Sequence, residues 1–237
     1  MSNRPSRQAA RKKDGQVTHV QPSSDGGSNT LWWWVGGGLV ALVAIALIVA
    51  MATGGDDGGS SGRDVRQVAF VEVDGSPLVP YASVQDGIDT AVGTPAPGFS
   101  ASEFDNTEHV IVPGDGTARL IGFFAHWCPH CQAELPRLTS WLGDNEVPEG
   151  VEIIAVSTSV DEGSPNYPPS SWFEREDWPE LTLRDSPASD ISSAYGLSGY
   201  PYFVVVDGEG NVLRRVSGEL TTEAWEELVA EAAASVA

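Results

Sequence analysis

Cys128 and Cys131 are the only cysteines in the chain, and they stand where an apolar run gives way to a helical pattern. That junction restricts the possible folds more than any other feature. Leu120–Ala125 is short and apolar and reads as a buried strand. Pro129 suits an early helical position, where its missing N–H costs little, so a helix is expected over 129–142. Pro136 falls inside that helix and is expected to kink it. In Trp127-Cys128-Pro129-His130-Cys131 the first sulfur then faces the free N–H groups of a helix start. Such a place favours the thiolate, which is the attacking form of cysteine. Cys131, one turn further on, can close a disulfide onto Cys128 and release a covalently held partner. His130 between them can support the thiolate when it is protonated or donates a hydrogen bond.

The pair has two other conceivable uses. A structural disulfide here closes a tiny loop and constrains little of the unfolded chain. A zinc site needs four ligands, there is no second cysteine pair, and nothing places His126 or His109 nearby. Redox chemistry is the use that the spacing favours. No cofactor or metal is expected. His126 itself is expected at the surface.

Residues 31–52, LWWWVGGGLVALVAIALIVAMA, form 22 positions without a charge, about the length that spans a bilayer. Trp32, Trp33 and Trp34 stand at one end, where an aromatic belt belongs. All five cations of residues 1–30 precede the run, so the positive-inside rule puts the N-terminus in the cytoplasm and the rest outside. Ala50-Met51-Ala52 offers a cleavage-site alternative, but the long polar lead favours a retained anchor. Either reading exports the same domain. The expected organisation is a disordered basic N-terminus (1–30), a transmembrane helix (31–52), a flexible linker (53–66), an N-terminal extension or hairpin (67–92) and a redox domain (93–237). Residues 53–237 carry 8 Arg, no Lys and 31 acids. So strong an acidic excess argues against nucleic acid as a partner, because phosphates need clustered cations.

Further elements follow from pattern. Gln67–Val73 and Pro77–Val84 flank Asp74-Gly75 and are expected to pair as a hairpin. Val151–Ser157, Tyr202–Val206 and Asn211–Val216 read as strands, the last two joined through Asp207-Gly208-Glu209-Gly210. The last helix starts at Thr221 or Thr222 as N-cap and buries Trp225, Leu228, Val229 and Ala232. Trp172, Phe173 and Trp178, within Pro165–Pro179, are expected in the core. The order is that of an α/β fold.

Several motifs in sequence resemble the thioredoxin superfamily, and more closely its membrane-anchored TlpA/ResA-like oxidoreductases. Gly93-Thr94-Pro95-Ala96-Pro97-Gly98-Phe99 is similar to the family's opening segment. Phe123-Phe124-Ala125-His126-Trp127-Cys128-Pro129-His130-Cys131 is similar to its strand-into-active-site motif, with Glu134 and Pro136 at the family's spacing. Tyr195-Gly196-Leu197-Ser198-Gly199-Tyr200-Pro201 resembles the stretch whose proline is cis, and Asp207–Gly210 the hairpin after it. The resemblance covers about Val92–Ala237 and implies a thioredoxin-like fold, a central mixed sheet flanked by helices. It implies Cys128 and Cys131 as the redox pair, Glu134 as proton carrier for Cys131, and Trp127, Pro129, Tyr200 and Pro201 as the surface met by substrate. Partners would be extracytoplasmic protein thiols and disulfides, with a membrane redox partner to recycle the pair.

Two departures bear on chemistry. Gly122 stands where thioredoxins have a buried Asp, which leaves Glu134 as the carboxylate candidate. Pro129-His130 between the cysteines is like the DsbA-type disulfide donors, and Tyr202 replaces the usual Thr after the cis proline, so partner contacts are expected to differ. The family implies a reductase, the dipeptide an oxidase, and a copper chaperone using a histidine is the non-enzymatic alternative.

Overall fold

The computed structural model describes residues 66–81 and 87–236. The expected basic tail, membrane span and all of the linker but Arg66 lie outside the described residues.

The described chain runs β1 (Glu72–Asp74), β2 (Gly98–Ser102), β3 (Glu108–Ile111), β4 (Ala118–Phe124), α1 (Pro129–Asp144) and β5 (Val151–Ser157). It continues α2 (Pro169–Arg175), β6 (Leu181–Arg184), α3 (Asp190–Ala194), β7 (Tyr202–Val206), β8 (Val212–Ser217) and α4 (Thr222–Ala234). Five strands form one sheet in the order β6-β5-β4-β7-β8. β4, β5 and β6 are parallel, whereas β7 is antiparallel to β4 and β8 to β7. β1, β2 and β3 form a separate antiparallel sheet. This is the thioredoxin-like α/β arrangement.

β4 lies at the centre and is buried along its whole length, as a strand covered on both faces must be. Its side chains alternate between two apolar layers. Leu120 and Phe124 pack with Leu135 and Leu138 of α1 and with Trp225, Leu228 and Val229 of α4. Ile121 and Phe123 pack on the other face with Tyr195, Tyr202 and Val204. Trp172 and Phe173 join the first layer as expected. Thr221 caps α4, its hydroxyl accepting the Ala224 N–H at 3.2 Å. α1 continues through Pro136 to Asp144, although that residue has no N–H to give Gln132.

Among the described residues, the hairpin expected from Gln67–Val73 and Pro77–Val84 is not formed. β1 pairs with β2 instead, Val73 opposite Phe99. Segment 77–81 is drawn to the main domain, where the Leu78 N–H meets Ala194 O and the Tyr81 N–H meets Gly196 O, both at 2.8 Å. The approach is so close that a Cβ on Gly196 would lie 2.5 Å from Val79 O. Apolar burial of Leu78 against the domain wins over a local turn signal.

Buried arginines hold these segments to the sheet. The Arg184 guanidinium donates to the carbonyls of Arg66 (2.6 Å) and Ser102 (3.2 Å) and to Asn106 Oδ1 (3.0 Å). Arg215 has no exposed side-chain surface and grips Asp89 through two bonds of 2.5 and 2.8 Å. The hydrogen bond from Arg215 holds the Asp89 carboxyl below its ordinary range. Asp89→Asn leaves a buried cation unpaired and is expected to cost about 3–5 kcal/mol at pH 7. A carboxylate with a depressed folded pKa stabilises above its unfolded value, about 3.9, and loses that contribution as pH falls through the folded value. Denaturant unfolding should therefore show the gap between wild type and variant narrowing below about pH 4.

Candidate active site

The site is built where β4 ends. Ala125, His126 and Trp127 carry the chain to Cys128, which is the N-cap of α1 in extended backbone conformation. The Cys128 N–H is taken by Ala125 O at 2.9 Å, and its carbonyl accepts the Gln132 N–H at 3.0 Å. No side chain caps this helix start, so its free N–H groups are left to the region of the sulfur. Cys128 retains 6 % exposure and Cys131 none, and neither is in a disulfide. Only the first sulfur is within reach of another molecule. Burial pushes the Cys131 thiol far above its ordinary pKa, and the nearby Cys128 and Glu134 raise it further.

Opposite Cys128 stands the cis Tyr200–Pro201 peptide. Cys128 Sγ lies 3.8 Å from Tyr200 O. β7 begins directly after Pro201, and its pairing with β4 sets Tyr202 against Phe123, which brings this loop to the end of β4. Tyr202 points inward, is fully buried and donates to Tyr195 O at 3.0 Å, so it offers partners nothing. The ring of Tyr200 meets Trp127 edge-on at 5.7 Å. Ser159 ties the two together, accepting the Trp127 indole N–H on its carbonyl (2.7 Å) and meeting Tyr200 Oη through its hydroxyl (2.5 Å). It does so with a positive φ of 49°. Ser159 lies in no sequence motif. Its position two residues past β5, level with the end of β4, is the signal that marks it.

His126 is not at the surface. It is 1 % exposed, and both ring nitrogens are used. Nδ1 donates to Pro165 O at 2.8 Å, and Nε2 accepts the Asp161 N–H at 3.1 Å. The ring is the peg that holds loop 159–168 beside the site, and it has no lone pair left for a metal. Among the described residues, no group of three or more His, Cys, Asp or Glu side chains is placed to hold one.

Glu134 sits one turn beyond Cys131 on the same face of α1 and is completely buried. Its Oε2 accepts the Leu220 N–H at 3.1 Å and pairs with Arg137, while Oε1 is buried without a hydrogen-bond partner. Burial raises its pKa, opposed by the Leu220 N–H and the Arg137 charge. On the sheet side of the cysteines, a Cβ built on Gly122 would lie 2.8 Å from the Phe124 ring and 3.2 Å from that of Phe203. Aromatic carbon fills the space that a carboxylate at this strand position needs.

Pro129 and His130 are exposed at the rim. The imidazole is not turned to the Cys128 sulfur as expected. Its Nδ1 donates to Glu219 Oε1 at 2.5 Å, because a carboxylate is the stronger acceptor within reach. Glu219 was not visible as a site residue in sequence. The β7–β8 register, Tyr202 opposite Ser217, is what returns the chain to this rim.

The arrangement can therefore attack through one sulfur, resolve through a second, and serve the second with an acid–base group. A family model described as thioredoxin-like matches residues 116–212. The chain is 29 % identical over 133 residues to the thiol-disulfide oxidoreductase ResA of Geobacillus thermodenitrificans, covering 56 % of this chain and 73 % of that protein. It is 31 % identical over 109 residues to the thiol:disulfide interchange protein HelX of Rhodobacter capsulatus, covering 46 % and 57 %. A thioredoxin-family thiol:disulfide interchange protein of Chlorobium tepidum has the same fold, with a TM-score of 0.50, 22 % identity and coverage of 59 % and 96 %. With the strand order, the helix-start cysteine pair and the cis proline beside it, these likenesses mark residues 116–212 as a thioredoxin-like domain, similar to those of relatives named ResA and HelX.

Proposed function

We propose that the chain is a thiol–disulfide oxidoreductase of the ResA and HelX kind, working as a reductase of extracytoplasmic protein disulfides from a single membrane anchor. The observation that carries the reading is the pairing of a slightly exposed sulfur at a helix start with a fully buried one behind it, beside a cis proline.

The chemistry follows from these positions. The Cys128 thiolate attacks one sulfur of a client disulfide and expels the other as a thiolate, which takes up a proton. The client is then held by a mixed disulfide between the Trp127–Tyr200 edge and the Pro201 loop, with Pro129 at the rim. Cys131 loses its proton to Glu134 and attacks Cys128 Sγ, which releases the client's second sulfur. The client leaves as a dithiol and the enzyme as a disulfide. A dithiol partner in the membrane returns the two electrons. A buried thiol with a raised pKa needs a base close by, and a buried carboxylate with one free oxygen supplies it.

The anchor rests on the uncharged run 31–52 and the cations before it. No helix among the described residues is long and apolar enough to cross a membrane, and the run itself lies outside them. The oxidase reading rests on the Pro129-His130 pair. It is weakened by the His130 ring, which is engaged with Glu219 rather than with sulfur.

Three outcomes test this function. Cys131→Ser should accumulate mixed disulfides with clients through Cys128, whereas Cys128→Ser should accumulate none; equal trapping on non-reducing gels would overturn the assigned order of attack. A membrane-impermeant maleimide should label Cys128 in reduced intact cells, and labelling only after lysis would place the domain inside. Glu134→Gln should slow exchange by about a hundredfold at pH 7, the low end for acid–base assistance. The wild-type rate should also fall as acid protonates Glu134 through its raised pKa, a limb that the variant's pH profile lacks.

A further inference from the structure

Glu219 divides its carboxylate between two neighbours. Oε1 accepts the His130 Nδ1–H at 2.5 Å, and Oε2 meets Arg137 Nη2 at 3.3 Å. The same Arg137 nitrogen pairs with Glu134. The backbone fixes Glu219 at this point. On one side the Gly218 N–H donates to Pro201 O at 2.8 Å, and on the other the Leu220 N–H donates to Glu134 Oε2 at 3.1 Å. With both flanking residues tied to the active-site rim, the carboxylate is delivered to the imidazole. His130 keeps 67 % of its side chain exposed, so little else restrains its ring.

An imidazole in the first turn of this helix has two possible effects on the redox pair. Turned to the Cys128 sulfur, it stabilises the thiolate, favours the reduced enzyme and makes the disulfide a stronger oxidant. Turned to a carboxylate, it spends its N–H there, and any positive charge it carries is balanced within the pair. We propose that Glu219 is a positioning residue that withholds His130 from Cys128 and so sets the Cys128–Cys131 couple toward the reducing end. This rests on the oxidoreductase reading above and supplies its direction.

Glu219 could instead act by its own charge on the sulfur, or through Arg137 and Glu134. Both routes persist when His130 is removed, whereas withholding does not. The test is a four-member cycle in the full chain in detergent: wild type, Glu219→Ala, His130→Ala and the double variant. Each is equilibrated with glutathione, where two glutathione thiols reduce the enzyme disulfide to a dithiol and leave as one glutathione disulfide. Glu219→Ala should shift this equilibrium about tenfold toward the dithiol, equivalent to roughly 30 mV more oxidising. His130→Ala alone should move it by less than about twofold, and the double variant should return to within about twofold of wild type, which is the limit of simple additivity. The rate of iodoacetamide alkylation of Cys128 at pH 6 should rise several-fold in Glu219→Ala only, since the thiolate is the reacting form. An unchanged Glu219→Ala, a shift that survives in the double variant, or a tenfold shift from His130→Ala alone would each overturn the proposal. If wild type does not exchange with glutathione at all, the oxidoreductase reading fails separately, and the alkylation rates still decide the role of Glu219.

Discussion

Strand β4 is buried on both faces, and every part of the cysteine rim takes its position from the point where that strand ends. Because β4 is central, its parallel neighbour β5 and its antiparallel neighbour β7 are both in register with it. The first delivers Ser159 and the second delivers Pro201 to the same level. The chain must leave the sheet there, and Ala125, His126 and Trp127 make the exit before α1 begins. A sulfur at the N-cap is thus exposed only as far as a sheet edge allows. A sulfur one turn later is carried under the layer formed by Phe124, Leu135 and Phe203. The difference between the two cysteines is a difference of depth, set by one turn of helix.

Much of this was legible in sequence wherever a local signal agreed with the packing. Val151–Ser157 and Tyr202–Val206 read as strands because they are uninterrupted apolar runs, and they are strands with those bounds. Thr221 and the Trp225, Leu228, Val229, Ala232 stripe define α4 by capping and period alone. What sequence could not supply were relations across the chain. Asp74-Gly75 signals a turn, but the burial available to Leu78 against the domain redirects the strand before it toward β2. His126 reads as a surface histidine until loop 159–168 is folded over it. Glu219 reads as one acid among many, and only the β7–β8 register gives it a neighbour that matters.

The same logic governs charge. Of the eight arginines after residue 52, Arg119, Arg184 and Arg215 are buried and engaged in holding segments together. Arg119 joins Asp115 to Glu152, and Arg215 secures Asp89. Among the described residues the exposed cations are few, and the face shown to solvent is acidic. Within that field the Arg137 guanidinium stands out, shared by Glu134 and Glu219 at the boundary between core and rim.

The contact of Gly122 with the Phe124 and Phe203 rings makes the surroundings of Cys131 one-sided. On the sheet side the sulfur is insulated by hydrocarbon that can neither accept nor deliver a proton. On the helix side it has a carboxylate whose oxygen is uncommitted. On the proposed reading, protons reach the inner sulfur along α1 rather than through the sheet. On that reading, acid–base control of the inner sulfur belongs to a helix, where Arg137 and the Leu220 N–H beside Glu134 can tune it.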